Sequence, residues 1–447
     1  LFLQEFTMRA AVHFPLNLAA CAACAAGLAL ASSAAVAQLP TVPWTVQTPT
    51  LSAPVDADDP AVWLHPTDAG KSLVITSVKN GGLRVYDLGG NQVQSLLNAS
   101  ATVDGVSQAS RLNNVDVQYG FKLADGSRAD VAVFTDRGQD RLRMFKITDT
   151  LGAPLQEINL SASSAARLYP NGVGSGQPIA TQATAYGVTL WRDAGADKLY
   201  ALVNQRREAV VSQFELTATN DGFKTTLVNT WNFPTTFQGK ALDAGSRRQF
   251  EGMVVDQQTG MLYAAQEDVG IWRVNLLSGV ADTAPLVRSK EFDGNSPLTS
   301  DIEGLTIRYG ANGKGVVIAS SQGDSTFAAF DRQTFAYLGG FKVGKNGVAG
   351  SGVDNSDGAD VTSFGLPGFE KGLLVVHDGQ AAEAGTTNFK YVRWEDVVTG
   401  VGEKLQPYLD TPVGFDPRNI AAVPEPSAAL LMLGGLGGVL ALRRRRG

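Results

Sequence analysis

Cysteine is nearly absent: the 447-residue chain has two, Cys21 and Cys24, both in an alanine-rich N-terminal stretch. Beyond that stretch neither a disulfide framework nor a thiol nucleophile is available. Histidine is scarce, and three residues make a histidine-rich zinc site a poor fit. There is no basic excess either. Lysine and arginine number 37 against 43 acidic residues, a formal charge of −6, which speaks against nucleic acid as a partner. Residues 45–410 contain no amphipathic helix of useful length, no EF-hand loop and no HExxH. GxSxG and RHGxRxP are missing too, which removes the serine hydrolases and the histidine phosphatases. What is present is 44% hydrophobic residues, a mean hydropathy of −0.02 and 49 glycines: core-forming material cut by many turns.

The two ends read as addresses. Residues 1–37 hold an N-terminal extension and, from Met8-Arg9 onward, a secretory signal with an apolar alanine-rich run. Ala35-Val36-Ala37 supplies a small-x-small site, so cleavage is expected before Gln38. Leu18-Ala19-Ala20-Cys21 also fits a lipoprotein box, but His13, Pro15 and Asn17 spoil the apolar run before it. At the other end, residues 423–447 contain Pro424-Glu425-Pro426, an apolar stretch from Ala428 to Leu442 and then Arg443 to Arg446. Such a stretch just spans a thin hydrocarbon core, and the arginines would hold its end in the cytoplasm. The order closely resembles the PEP-CTERM sorting signal of Gram-negative bacteria. That resemblance implies a secreted or cell-envelope location and an exosortase-type processing enzyme as a partner. Taking away both ends leaves a body of charge −9, because the tail carries four arginines and one glutamate while the leader is neutral. An acidic exported body suits divalent cations.

Between the ends one strand pair recurs. Its copies begin at Leu73, Val131, Leu199, Leu262, Val316 and Leu373, with spacings of 58, 68, 63, 54 and 57 residues. These spacings fit four-stranded propeller blades with their loops. The expectation is an all-β fold, a six-bladed β-propeller over residues 45–410.

A second element precedes each copy: Asp59-Pro-Ala-Val-Trp63, Asn113-Asn-Val-Asp-Val117, Tyr186-Gly-Val-Thr-Leu190, Glu251-Gly-Met-Val-Val255, Glu303-Gly-Leu-Thr-Ile307 and Asp357-Gly-Ala-Asp-Val361. The third and fifth positions are apolar in all six, as one face of a strand requires. The first position is always polar, and in four copies it is a carboxylate. As innermost strands, they would set a ring of polar residues around one mouth of the central channel. Asp and Asn before a strand are common turn residues, but glutamate is not a turn former. Carboxylates crowded at a mouth raise one another's pKa unless a cation neutralises them, and Ca²⁺ with oxygen ligands suits flexible loops.

The segments 56–66 (DADDPAVWLHP), 79–90 (KNGGLRVYDLGG), 112–119 (LNNVDVQY), 250–272 (FEGMVVDQQTGMLYAAQEDVGIW) and 301–325 (DIEGLTIRYGANGKGVVIASSQGDS) resemble the motifs of the β-propeller phytases. The resemblance runs through nearly all of residues 50–400. It implies a six-bladed propeller that uses several Ca²⁺ ions to hydrolyse phosphate monoesters of phytate, free or as calcium–phytate, by attack of metal-activated water. It implies calcium ligands at Asp58 and Asp59, Glu251, Glu267, Asp301 and Glu303, and in the loop holding Asp354, Asp357 and Asp360. Lys79, Arg137 and Tyr186 match substrate-phosphate positions and, with Glu251 and Glu303, are the expected catalytic residues. Asn113, Asn114 and Asp116 match a neighbouring region associated with a second phosphate.

Three departures stand out. Asn80 stands where the family often has a second lysine, Arg206-Arg207 where a rim lysine is expected, and Gln266 where a carboxylate is common. Which of Arg206 and Arg207 faces the substrate stays open. Trp63, Trp191 and Trp272 are expected between blades, and His65 and His377 in structural or surface roles. A monomer is expected. Two rival readings remain: a lactonase-like calcium propeller, which would have little use for a basic rim, and a non-catalytic matrix-binding propeller.

Overall fold

In every copy the recurring strand pair becomes the second and third strands of an antiparallel sheet, and the element before it becomes the innermost strand. The computed structural model describes residues 38–418, apart from 166, 171–178, 180–181, 244–247, 383 and 413–415. The leader and the 423–447 tail lie outside the described residues. All six sheets belong to one compact unit that begins at Leu39.

Blade 1 runs Pro60–Trp63, Leu73–Ser77, Leu83–Tyr86 and Gln92–Leu96 from the inside outward. Blades 2 and 3 have the same order, with innermost strands Leu112–Lys122 and Ala185–Asp193. The innermost strands of blades 4, 5 and 6 are Phe250–Asp256, Ile302–Tyr309 and Ala359–Val361. Each innermost strand packs against the next, and blade 6 returns to blade 1, so the ring is closed. The six-bladed propeller read from the sequence is the fold.

Closure is made by the N-terminal segment. Val46–Gln47 and Leu51–Ser52 pair with the outer strand of blade 6, Thr386–Arg393, while Thr41–Val42 lies parallel to the outer strand of blade 5, Tyr337–Val343. Residues from the start of the fold thus complete the last two blades, leaving those sheet edges covered. Trp44 pins the strap: its Nε1 donates to Ser351 O at 2.9 Å, and Lys345 Nζ sits 3.5 Å from the ring centroid. Blade 4 is the irregular one. Two short segments, Val280–Ala281 and Val287–Arg288, share the edge of Gly270–Asn275 in place of one outer strand.

Apolar side chains fill the wedges between blades as separate clusters. Blades 3 and 4 enclose Trp191, Trp231, Phe250 and Trp272, with Trp191 stacked on Tyr200 at 5.2 Å and Phe233 edge-on to Trp272 at 5.3 Å. Trp63 lies in the cluster joining blades 6, 1 and 2, its Nε1 donating to Asp130 at 2.9 Å. The three tryptophans therefore pack between blades, as expected.

The sequence predicts no amphipathic helix of useful length; among the described residues the structure has one, Trp394–Val401. Its inward residues Trp394, Val397 and Val398 follow the i, i+3, i+4 pattern, but two turns give too little periodicity to distinguish from a strand end. Trp394 caps the blade 5–6 wedge with Arg308 over its ring at 4.7 Å.

Candidate functional site

The first residues of the innermost strands are turned toward one mouth by a repeated irregularity. In blades 2, 3, 4 and 5 the register with the second strand shifts between Leu112 and Val115, Ala185 and Val188, Phe250 and Met253, and Ile302 and Leu305. A bulge of this kind re-aims a side chain that a regular pleat would send elsewhere. The displaced residues are Asn113, Tyr186, Glu251 and Glu303, all singled out from the sequence. Glycine follows the polar residue in blades 3 to 6, and the next blade needs the space. A β-carbon on Gly187 would overlap the Glu251 carbonyl oxygen, one on Gly304 would lie 2.5 Å from Ala359 N, and one on Gly358 would overlap the Asp59 carboxylate.

Three carboxylates converge at the mouth. Glu251, Glu267 and Glu303 are buried, and one oxygen of each lies within 4.8 Å of the others. Glu267 reaches the group from the turn after Met261–Gln266, with Gln249 Nε2 donating to its Oε1 at 2.6 Å. Glu251 Oε1 accepts from Asn113 Nδ2 at 2.7 Å. Glu303 Oε2 is buried and accepts no hydrogen bond. Burial, then the neighbouring carboxylates, pushes Glu267 and Glu303 well above the usual range, and Glu251 is raised mainly by burial and then by Asp357. The donor set is all oxygen, which fits a hard divalent cation. Asp301 sits beside it, raised by burial and by Asp268.

A second set gathers around Lys79. Its Nζ lies 2.9 Å from Asp357, 3.2 Å from Asp58 and 3.2 Å from Asp56. Burial works to raise Asp357, but Lys79 and then His377 outweigh it and hold that carboxyl at about 2. Asp58, fully buried and facing Asp357 and Glu251 as well as Lys79, is pushed well up by burial. The lysine's charge therefore goes mostly to Asp357. Asp357 is fixed from behind, where its N–H donates to His377 Nδ1 at 3.0 Å and Gln322 donates to its Oδ1.

Opposite this acidic wall is an arginine rim. The Tyr186 ring lies between Arg137 and Arg206, each guanidinium carbon 5.6 Å from the centroid. Burial and the surrounding glutamates push the Tyr186 hydroxyl well up, so it stays protonated and can donate. Arg137 Nη1 donates to Asn113 Oδ1 at 3.0 Å, linking the rim through Asn113 to Glu251. Of the Arg206-Arg207 pair, Arg206 faces Tyr186, while Arg207 holds a left-handed backbone with its N–H on Gln249 Oε1 at 3.0 Å.

The remaining candidates lie elsewhere. Asp59, Asp116 and Asp360 are lower in the channel and act as ties between blades. Asp59 Oδ2 accepts from Val115 N at 3.0 Å, Asp116 Oδ2 from Leu190 N at 2.7 Å, and Asp360 Oδ2 from Val62 N at 2.8 Å. Burial raises all three, Asp116 to about 7. Asn114, hydrogen-bonded by Asn113, is buried behind the mouth. Asp354 marks the loop edge, its N–H donating to Asp378 Oδ1 at 3.2 Å and its carbonyl accepting from Gly379 N at 2.8 Å. Gln266 is used structurally: its Oε1 accepts from Trp272 Nε1 and its Nε2 donates to Arg248 O, both at 3.0 Å. Sequence reasoning missed Arg111, Gln249 and Gln322. Arg111 directly precedes the 112–119 motif and Gln322 lies inside the 301–325 block, so position alone could have flagged both.

Comparison with known proteins relates the chain to a family, to a curated enzyme and to solved structures. The Phytase family model matches residues 10–422. A 3-phytase of Bacillus subtilis (strain 168) is 33% identical over 363 residues, covering 79% of this chain and 84% of that protein. Among solved structures, the computationally designed protein Ika8 aligns over 74% of this chain and 70% of its own, at 12% identity and a TM-score of 0.33, too loosely to support an argument.

Proposed function

This chain belongs to the phytase family and hydrolyses phytate, and on that premise we propose that it does so outside the cytoplasm with calcium held at the channel mouth. The observation that carries the metal reading is the buried Glu251, Glu267 and Glu303 group with its unsatisfied Glu303 Oε2. Three such carboxylates cannot all ionise in a buried mouth unless a cation balances them. Asp58 and Asp301 flank them and would complete an oxygen shell, and Asp357, already ionised beside Lys79, would extend it.

Held by these carboxylates, calcium would supply the positive charge that draws in phosphate and offsets charge gathering in the transition state, and would make water more acidic. The chain's own groups supply the rest. Arg137 and Arg206 present guanidinium edges to a phosphate across the Tyr186 ring, and the Tyr186 hydroxyl offers a proton in a hydrogen bond to a phosphoryl oxygen. Asn113 ties Arg137 to Glu251, so the rim and the acidic wall keep a fixed spacing. Lys79 orients Asp58 and Asp357 and adds positive potential where the wall would otherwise repel a polyanion. Each turnover consumes one water and one phosphate ester, and releases inorganic phosphate and an alcohol.

The test is phosphate release from calcium–phytate by residues 38–423, with and without chelator, beside Glu303→Gln. Calcium-dependent release that falls at least 100-fold in the variant supports the assignment. Release unaffected by chelator, or by the substitution in a folded chain, would overturn it. Export is read from the leader and the 423–447 tail; a mature N-terminus at Gln38 in the envelope or secreted fraction is the expected result, and an intact leader on cytoplasmic protein would refute it.

A further inference from the structure

After its last blade the chain runs across the end of the channel away from the carboxylates. Leu409 O accepts from Arg308 Nη2 at 3.1 Å and Asp410 pairs with Lys371 at 2.7 Å, which holds these residues beneath blades 5 and 6. Arg418 is bound beneath blades 1 and 2, and Pro417 lines the channel end with Tyr119, Gln257, Tyr309 and Ser363. Tyr119 follows Asn113 by six residues on one innermost strand, which places it roughly 20 Å along the strand from the mouth.

The corner that receives Arg418 is built without it. Asp130 Oδ1 accepts from Gly120 N at 3.1 Å and its Oδ2 from Trp63 Nε1 at 2.9 Å, so the carboxylate is fixed from two sides. The Tyr119 hydroxyl accepts from Leu64 N at 3.1 Å, which sets the ring beside the Leu64 peptide. Arg418 Nη2 donates to Asp130 Oδ2 at 3.0 Å and to the Leu64 carbonyl, while its guanidinium carbon lies 4.5 Å from the Tyr119 ring centroid. A planar guanidinium can stack and donate at once, and a lysine ammonium does this less well. The pair is largely shielded from solvent, with side-chain exposures of 23% for Arg418 and 15% for Asp130. Backbone contacts add to it: Arg418 O accepts from Arg192 Nη1 at 3.3 Å, and Arg418 N donates to Asp416 Oδ1 at 2.9 Å. Side chains and backbone of blades 1, 2 and 3 therefore all hold this one residue.

We propose that Asp130, Tyr119 and the Leu64 carbonyl form a guanidinium-binding site occupied by Arg418, and that this dock carries the chain out on the face opposite the catalytic mouth. The site takes no part in binding substrate or in the chemical step. Its consequence is orientation. The 423–447 tail starts from the lower face, so a chain held at a membrane by that tail keeps its mouth toward the solvent, where a soluble polyanion arrives. The orientation rests on the anchor reading of the tail, whereas the docking site does not.

Trypsin reads the dock directly, because cutting after Arg418 requires the side chain to leave Asp130. In the chain from Gln38 to Gly447, cutting at 418 is expected to be at least ~10-fold slower than in a free peptide of residues 411–423. Asp130→Asn and Arg418→Lys, the second of which keeps a trypsin site, should each speed it about tenfold, with other tryptic sites and phytate hydrolysis unchanged. Wild-type cutting at the peptide's rate, or folded variants cut no faster than the wild type, overturns the proposal. For the exit face, residues 38–447 contain no cysteine, so Ser107→Cys and Ala124→Cys each carry a single fluorophore. Position 107 lies in the hairpin that precedes Asn113, and position 124 in the turn after Leu112–Lys122, at the Arg418 end. On phosphatidylcholine vesicles bearing a headgroup quencher, the label at 124 should be quenched more than the label at 107. Equal or reversed quenching refutes the orientation. A chain that does not bind the vesicles refutes the anchor reading instead, and the trypsin comparison still decides the site.

Discussion

Gly252 stands against Glu303: a β-carbon at 252 would overlap the carbonyl oxygen of Glu303 on the next innermost strand. The contact links one blade's mouth glutamate, Glu251, to that of its neighbour through the backbone. Gly187 stands to Glu251 as Gly252 stands to Glu303. The glycines that follow the polar residues in blades 3 to 6 therefore set the distances between the carboxylates. Spacing in the mouth is a property of the ring.

Gly252→Ala is accordingly expected to damage both stability and activity. The obstacle is backbone and cannot rotate away, so the strands must separate. Overpacking of this kind costs ~1–3 kcal/mol, and a backbone clash belongs at the upper end. Urea unfolding and calcium-dependent phosphate release should fall together. A variant with the parent's midpoint and rate would show that the glycine does not govern the spacing.

Stability of the metal-free protein should decline as pH rises. Asp116, at about 7 against 3.8 for the free side chain, and Asp140, at about 6, bind protons more tightly folded than unfolded, chiefly because they are buried. For a carboxylate with a raised pKa the penalty is absent below the unfolded value and grows until the folded value is passed, here between about pH 4 and 7. Glu267, Glu303 and Asp58 act in the same direction. Asp357, held at about 2, has its window below pH 4 and does not offset them. Urea midpoints in chelator should be lower at pH 8 than at pH 5, and added calcium should narrow the difference by binding the ionised carboxylates. A chelated midpoint that rises over this range would contradict the argument.

The fold was legible because its signal is repetition. Six strand pairs and six preceding elements are a pattern that composition and periodicity detect without any long-range contact. The mouth residues Glu251, Glu303, Tyr186 and Asp357 were legible for the same reason, since they occupy one register position. The register alone did not sort function: Asp59 holds the same position as Glu251, yet its partner, like those of Asp116 and Asp360, is a backbone N–H of an adjacent blade, Val115, Leu190 and Val62 respectively, which no local pattern reveals.

Trp44→Ala should loosen the closure of the ring. The indole ties the strap to Ser351, and Lys345 and Lys390 both lie over its face, the latter at 5.1 Å. Removing a partly buried tryptophan with two cation contacts should destabilise by ~2–4 kcal/mol. Hydrogen exchange should rise first in Val46–Gln47 and in the strand it pairs with, Thr386–Arg393. Uniform protection across all blades in the variant would mean that the strap does not hold the ring shut.

Gln266→Glu tests whether the carboxylate common in the family at this position would gain a metal ligand here. In this chain the amide is fully buried between two groups of opposite demand, the Trp272 N–H and the Arg248 carbonyl. A carboxylate keeps the first contact and loses the second, setting oxygen against oxygen in a buried site. That costs ~1–3 kcal/mol when the carboxylate is ionised and less when it is protonated, because the acid form can again donate to Arg248. The destabilisation should therefore grow with pH, and calcium affinity should not rise. Tighter calcium binding with an unchanged unfolding midpoint would show instead that the side chain can turn from Trp272 into the mouth, making position 266 a ligand site that glutamine has vacated.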